Sequence, residues 1–143
     1  MNQVKDNHLT FPFPGRTELT ISGKSREYNI VAELASSVIE IFQSASYRNL
    51  IDDNQPLVLQ FDNPAVQSFC MQSFKMPVEQ IIVEHGSGKV TTVNLLQPVN
   101  HPGNHIQGYS GLSCVILAAP GFAQSNHIEK NKTFITLKTI NIF

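Results

Sequence analysis

Side chains able to do chemistry are sparse in this sequence and scattered along it. His101 and His105 have the i, i+4 spacing of two metal ligands on a helix, but Pro102-Gly103 between them breaks the helix such a pair needs. His85 and His127 stand alone, and solvated loop positions account for all four without a metal. The two cysteines, Cys70 and Cys114, have neither zinc-site spacing nor the number for a disulfide framework. A nucleophilic thiolate needs an adjacent base or a helix N-terminus, and no histidine lies near Cys70 in sequence. Cys114 opens the apolar run Cys114-Val115-Ile116-Leu117 and reads as core. Asp52-Asp53 and Glu84 offer carboxylates, yet each falls in an expected turn or strand end where solvation alone explains it. Gly86-Ser87-Gly88-Lys89 superficially resembles a phosphate loop, but it is too short for one and joins two strands. Asn131-Lys132-Thr133 is a glycan acceptor pattern with no secretory signal beside it.

The elements that must position these groups follow from composition and periodicity. A chain of 143 residues with 41% apolar side chains makes one domain with a real core. Ten Lys and Arg against eleven Asp and Glu give a net charge of -1, too little positive field for nucleic acid or an anionic membrane. No apolar run reaches the roughly 18 residues of a spanning helix, and the opening residues lack a signal-peptide core, so a soluble cytoplasmic protein is expected. Residues 1–15, ending Phe11-Pro12-Phe13-Pro14-Gly15, read as an extended arm, and residues 16–143 as a single β domain. Leu19 and Ile21, then Tyr28, Ile30 and Ala32, alternate around Ser22-Gly23-Lys24-Ser25 and predict a hairpin. The spacing of Val38, Ile39, Ile41, Phe42 and Ala45, with Ser37 and Glu40 as a capping box, predicts a helix over 38–46. Strands are expected at 57–61, 68–72, 81–84, 90–95, 114–118, 133–137 and 139–143, with a second hairpin turning at 85–89. A long polar loop is expected at 97–111. Together these predict an all-β fold, a jelly-roll-like sandwich or flattened barrel, with one short α-helix and a helical turn near 121–125.

The stretches Leu57-Val58-Leu59-Gln60-Phe61-Asp62-Asn63-Pro64, Ser68-Phe69-Cys70-Met71-Gln72-Ser73, Met76-Pro77-Val78-Glu79-Gln80-Ile81-Ile82 and Gly88-Lys89-Val90, taken in order, resemble the "domain of unknown function 192" (UPF0127-like) family. Ser46-Tyr47-Arg48 upstream, and Val115-Ile116-Leu117 with Gly121-Phe122-Ala123 and Ile128 downstream, extend the resemblance to most of the chain. It implies a mainly β, jelly-roll-like fold and no assigned reaction. Against the family pattern, Cys70 replaces Trp, Gln72 replaces Lys, Ser73 replaces Asn, Phe74 replaces Thr and Glu79 replaces Asp. Loss of a cation and gain of an aromatic imply a greasier cleft, if the family's polar cluster is a site at all; drift in a structural cluster explains the same changes.

The resulting expectation is a small-molecule-binding β domain whose mostly apolar cleft is bordered by Cys70, Gln72 and Phe74, with Arg48 nearby to pair with Glu79 or hold an anion. Glu79 is the carboxylate expected to act if the protein is instead a small lyase, isomerase or cyclase of specialised metabolism, with a loop histidine as the other candidate. A third expectation is an interaction module that pairs through an exposed edge strand as a homodimer. The partner expected is an apolar small molecule, with no nucleic acid, membrane, metal or cofactor.

Overall fold

Alternation of apolar and polar residues sets the first hairpin. In β1 (Gly15–Ser22) Thr17, Leu19 and Ile21 are buried while the residues between them are not. β1 runs antiparallel to β2 (Glu27–Ala35) in a register from Gly15↔Leu34 to Ser22↔Glu27. Gly23 N donates to Arg26 O (2.9 Å) across the turn. Tyr28, Ile30, Ala32 and Leu34 face the same apolar cluster as Leu19 and Ile21. The computed structural model describes residues 15–35, 55–60, 69–70, 76–84, 86–97, 105–106 and 112–139.

Three strands instead carry unbroken apolar runs, the pattern of strands dry on both faces. They are β3 (Leu57–Gln60), β5 (Val78–Glu84) and β8 (Leu112–Ala118). One face of these strands, with Val58, Ile81, Val83, Cys114, Ile116 and Ala118, joins the main core. The alternate positions Leu57, Leu59, Val78, Ile82, Val115 and Leu117 are also buried. β6 (Val90–Leu96) and β9 (Phe134–Thr139) complete a seven-stranded sheet of order β6-β5-β8-β3-β2-β1-β9. Its pairings are antiparallel except β2–β3, which is parallel. β4 (Phe69–Cys70) and β7 (His105–Ile106) form a separate two-stranded pair.

The two outer strands of the large sheet meet at one end. Lys89 bridges Phe134, Ile135 N donates to Gly88 O (2.8 Å) and Val90 N donates to Thr133 O (2.8 Å). The sheet therefore curls toward closure, which makes the all-β fold a flattened, partly closed barrel. Gly88 permits this approach. Its φ is +77°, and a Cβ there would sit 2.9 Å from Ile135 O. Gly86, at φ +91°, has open space around it.

Several sequence expectations shift at their boundaries. β1 begins at Gly15, so the last residue assigned to the arm belongs to the sheet. β5 begins at Val78, three residues before the expected start, because Val78 and Gln80 also have buried faces to fill. The expected break between 133–137 and 139–143 is absent: Phe134–Thr139 runs through, with no turn residue to interrupt it. The stretch 97–111 contains the short strand β7, so it is not loop throughout. The expected helical turn exists as α1 (Phe122–Ser125). The expected helix at 38–46, residues 1–14 and 140–143 lie outside the described residues. Among the described residues no helix is long and apolar enough to cross a membrane.

The two hairpin glycines separate backbone cost from contact cost. Gly86→Ala is expected to lose about 1–2 kcal/mol for its left-handed backbone alone. Gly88→Ala is expected to lose more, since its methyl also strikes Ile135 O. Equal shifts of the urea midpoint in the two variants would show that the seam has room to spare.

Candidate functional site

Of the residues expected to border the cleft or act in it, Arg48, Cys70, Gln72, Phe74 and Glu79, only Glu79 has a side chain among those described, and its position on β5 explains it. Ala123 N donates to Glu79 Oε1 (2.6 Å) and Gly121 N donates to Oε2 (3.3 Å). Gly121 occupies the N-cap of α1 at φ +91° and has no side chain to cap with. A carboxylate from the neighbouring strand supplies the acceptor that a local Ser or Asp usually provides. Glu79 thus holds α1 against the sheet, where Phe122 and Ala123 are buried. This is a positioning contact, and both of its oxygens are already engaged.

Cys70 lies on β4, in register with His105 on β7, a backbone pairing across 35 residues of chain that no local reading of the sequence exposes. Arg48, Gln72 and Phe74 lie outside the described residues. Cys114 is core, as its apolar run implied: it is 1% exposed, and burial pushes its thiol from the ordinary 9.0 up to about 12. The segment 84–89 is the hairpin loop, fastened by Ser87 Oγ donating to Glu84 Oε1 (2.6 Å) and Lys89 N donating to Ser87 Oγ (3.1 Å). A carboxylate at that spot is wrong for a phosphate cradle. Gln80 is 3% exposed, and its amide has no partner among the described residues. The other two buried polar residues are satisfied: Thr17 Oγ1 donates to Lys138 O (2.9 Å), and Glu129 N donates to Thr133 Oγ1 (2.8 Å).

A different set of residues converges on a cavity of about 220 Å³. One wall is the β1–β2 turn, Gly23, Lys24, Ser25 and Arg26. The other is the segment between α1 and β9, with Asn126, His127, Glu129, Lys132 and Thr133. Ile21 and Tyr28 form the floor. Sheet order explains the meeting: β1 lies between β2 and β9, so the turn leaving β1 faces the segment entering β9. Tyr28 ties the walls by donating its hydroxyl to Asn126 O. Burial raises the Tyr28 pKa above the ordinary 10.0, and the nearby Arg26 guanidinium partly opposes the rise.

The far wall is fixed by its own backbone. Ile128 N donates to Ala123 O (2.8 Å), Thr133 N to Glu129 O (3.1 Å), and Asn131 N to Val90 O (2.6 Å). His127 and Asn131 take left-handed conformations, φ 56° and 65°, which let the segment reverse twice within a few residues. Lys24, Arg26 and Lys132 contribute three positive charges against the one carboxylate of Glu129. No ion pair joins any of them among the described residues.

Sequence reasoning missed this groove. Its signals were present as the cations of Gly23-Lys24-Ser25-Arg26 and of Glu129-Lys130-Asn131-Lys132. They are separated by about a hundred residues, and only the β1–β9 pairing joins them.

No family model matches the chain, and no curated protein does. Solved structures are similar to it. A structure from Sinorhizobium meliloti 1021, described as a "putative transcription regulator", matches with TM-score 0.69 and 14% identity, over 87% of this chain and 95% of its own. A protein of unknown function from Novosphingobium aromaticivorans DSM 12444 matches with TM-score 0.65 and 18% identity, over 83% of each chain. The likeness is one of fold.

Two stability measurements check the assignments above. Glu79→Ala is expected to lower unfolding free energy by about 1–3 kcal/mol, since two amides lose a charged acceptor. A variant as stable as the parent in urea would mean that α1 needs no cap from β5. For Cys114, the folded pKa lies above the unfolded one. Its contribution is therefore complete below pH 9 and declines as pH rises from about 9 toward about 12. Stability is expected to fall in that window by up to roughly 1.4 kcal/mol per pH unit. Tyr28 adds in the same direction above pH 10. Cys114→Ala should flatten the decline, and an unchanged slope would remove the thiol from the account.

Proposed function

We propose that this chain is a small-molecule-binding β domain and that the groove between the β1–β2 turn and the α1–β9 segment is its ligand site. The observation that carries this reading is the convergence of Lys24, Arg26, Tyr28, His127 and Lys132 on one concavity with a single carboxylate among them. The apolar cleft expected near residues 70–79 falls largely outside the described residues, whereas this groove is polar. Its walls are held by backbone hydrogen bonds before any ligand arrives, which reduces the entropy lost on binding.

Catalysis is the weaker reading. Glu79 accepts from two backbone amides on another part of the surface, and it does not line the groove. His127 does line it, but has no hydrogen-bonded partner among the described residues to fix its ring, as a general base requires. A nucleic-acid role, which the description of the Sinorhizobium meliloti structure raises, gains no support from a net charge of -1.

Ser25→Trp places an indole in the groove from an exposed turn position. In native mass spectrometry of protein purified from its own host, the parent is expected to carry a bound small molecule. The Trp variant should lose it while melting at nearly the same temperature. A parent with no added mass, or a variant that retains the molecule, would count against this site.

A further inference from the structure

Three features of the groove bear on what it holds. Its cations come from two segments far apart in the chain, so their gathering is a product of the fold rather than of a basic stretch. Lys24, Arg26 and Lys132 are all exposed, and among the described residues no ion pair joins any of them, with Glu129 the one carboxylate in the lining. At about 220 Å³, the space lies below the roughly 300–1,000 Å³ of pockets that enclose drug-sized ligands. So small a cleft cannot hold a ligand by apolar burial alone; charge must supply the rest.

Resting on the reading of this groove as the ligand site, we propose that its ligand is a small multivalent oxyanion, a phosphate monoester or a polycarboxylate, held by Lys24, Arg26 and Lys132. Arg26 offers the planar fork that pairs two oxygens at once, and the two lysines act as movable point charges on either wall. The Ser25 hydroxyl adds a neutral donor beside Arg26. The field of Arg26 already reaches the floor, where it acts on the Tyr28 hydroxyl. Glu129 on the far wall lowers the groove's excess of positive charge without cancelling it, so a compact anion suits the site better than an extended one.

The test is a titration of the full chain, followed by amide chemical shifts, with inorganic phosphate and citrate as probes and glycerol as the uncharged control. Either anion is expected to move resonances of residues 23–26 and 126–133 saturably, with weaker binding as sodium chloride rises. Whichever probe binds tighter names the source of the oxyanion. Arg26→Ala and Lys132→Ala should each weaken that probe by about three- to tenfold. Lys138→Ala, an exposed cation outside the groove, should leave it unchanged. Equal affinity in all variants would overturn the proposal, because it would show only diffuse attraction to surface charge. Saturable binding of an uncharged molecule in the groove, with no response to either anion, would overturn the oxyanion while the binding role stands. Silence of the groove toward every probe, together with no co-purified molecule, would overturn both.

Discussion

β9 is hydrogen-bonded on two sides at once, and the rest of the architecture depends on it. Along one side it pairs with β1 from Thr17↔Thr139 to Ser22↔Phe134. At its start it also meets the β5–β6 loop, through Gly88 O and the Lys89–Phe134 bridge. The first contact places the segment entering β9 against the turn leaving β1 and so creates the groove. The second draws the far edge of the sheet around and covers the start of β6. One strand thereby sets both the curvature of the sheet and the walls of the cleft. Without the absent side chain at position 88, the two backbones could not come this close.

α1 depends on a second long-range contact. Four residues are too few for a helix to persist on its own in water, and Gly121 brings no capping side chain. What holds it is burial of Phe122 and Ala123 on the core, plus the Glu79 carboxylate reaching over from β5. The same short helix fixes Asn126, whose carbonyl receives the Tyr28 hydroxyl and whose side-chain amide donates to Phe122 O (2.9 Å). The chain of contacts from Glu79 through α1 to Asn126 thus ends at the groove wall. The carboxylate that the sequence offers as the acid or base of an alternative, enzymatic reading is, in the fold, also a distant support of that wall.

The fold was legible where one-sided burial left a period in the sequence. Leu19 and Ile21, answered by Tyr28, Ile30 and Ala32, announced the first hairpin, and the glycines at 86 and 88 announced the second. Strand ends were less legible. Hydrophobic pattern reports which residues need cover but not where pairing stops, as Val78, Gln80 and the run through Thr139 illustrate. The groove was not legible. Its charges sit in two polar loops that look like ordinary solvated turns, and nothing local says that they face each other. Gln80 was equally silent: a polar residue in a strand pattern normally marks the wet face, and here it lies on a dry one.

The pairing of β1 with β9 also has a consequence for the chain as it leaves the ribosome. The hairpin formed by residues 15–35 has an edge on β1 whose partner among the described strands, β9, is complete only when Thr139 has been made. At roughly 5–20 residues per second, the stretch from Ala35 to Thr139 keeps that edge waiting on the order of 5–20 seconds. It waits in a protein with only 15% charged residues, which repel neighbouring nascent chains weakly. Glu18 and Thr20 alternate with Leu19 and Ile21 along that edge, and so provide the polar side chains that protect it meanwhile. Pairing with β9 is therefore what covers the β1 edge, and it is the same event that brings the two walls of the groove together.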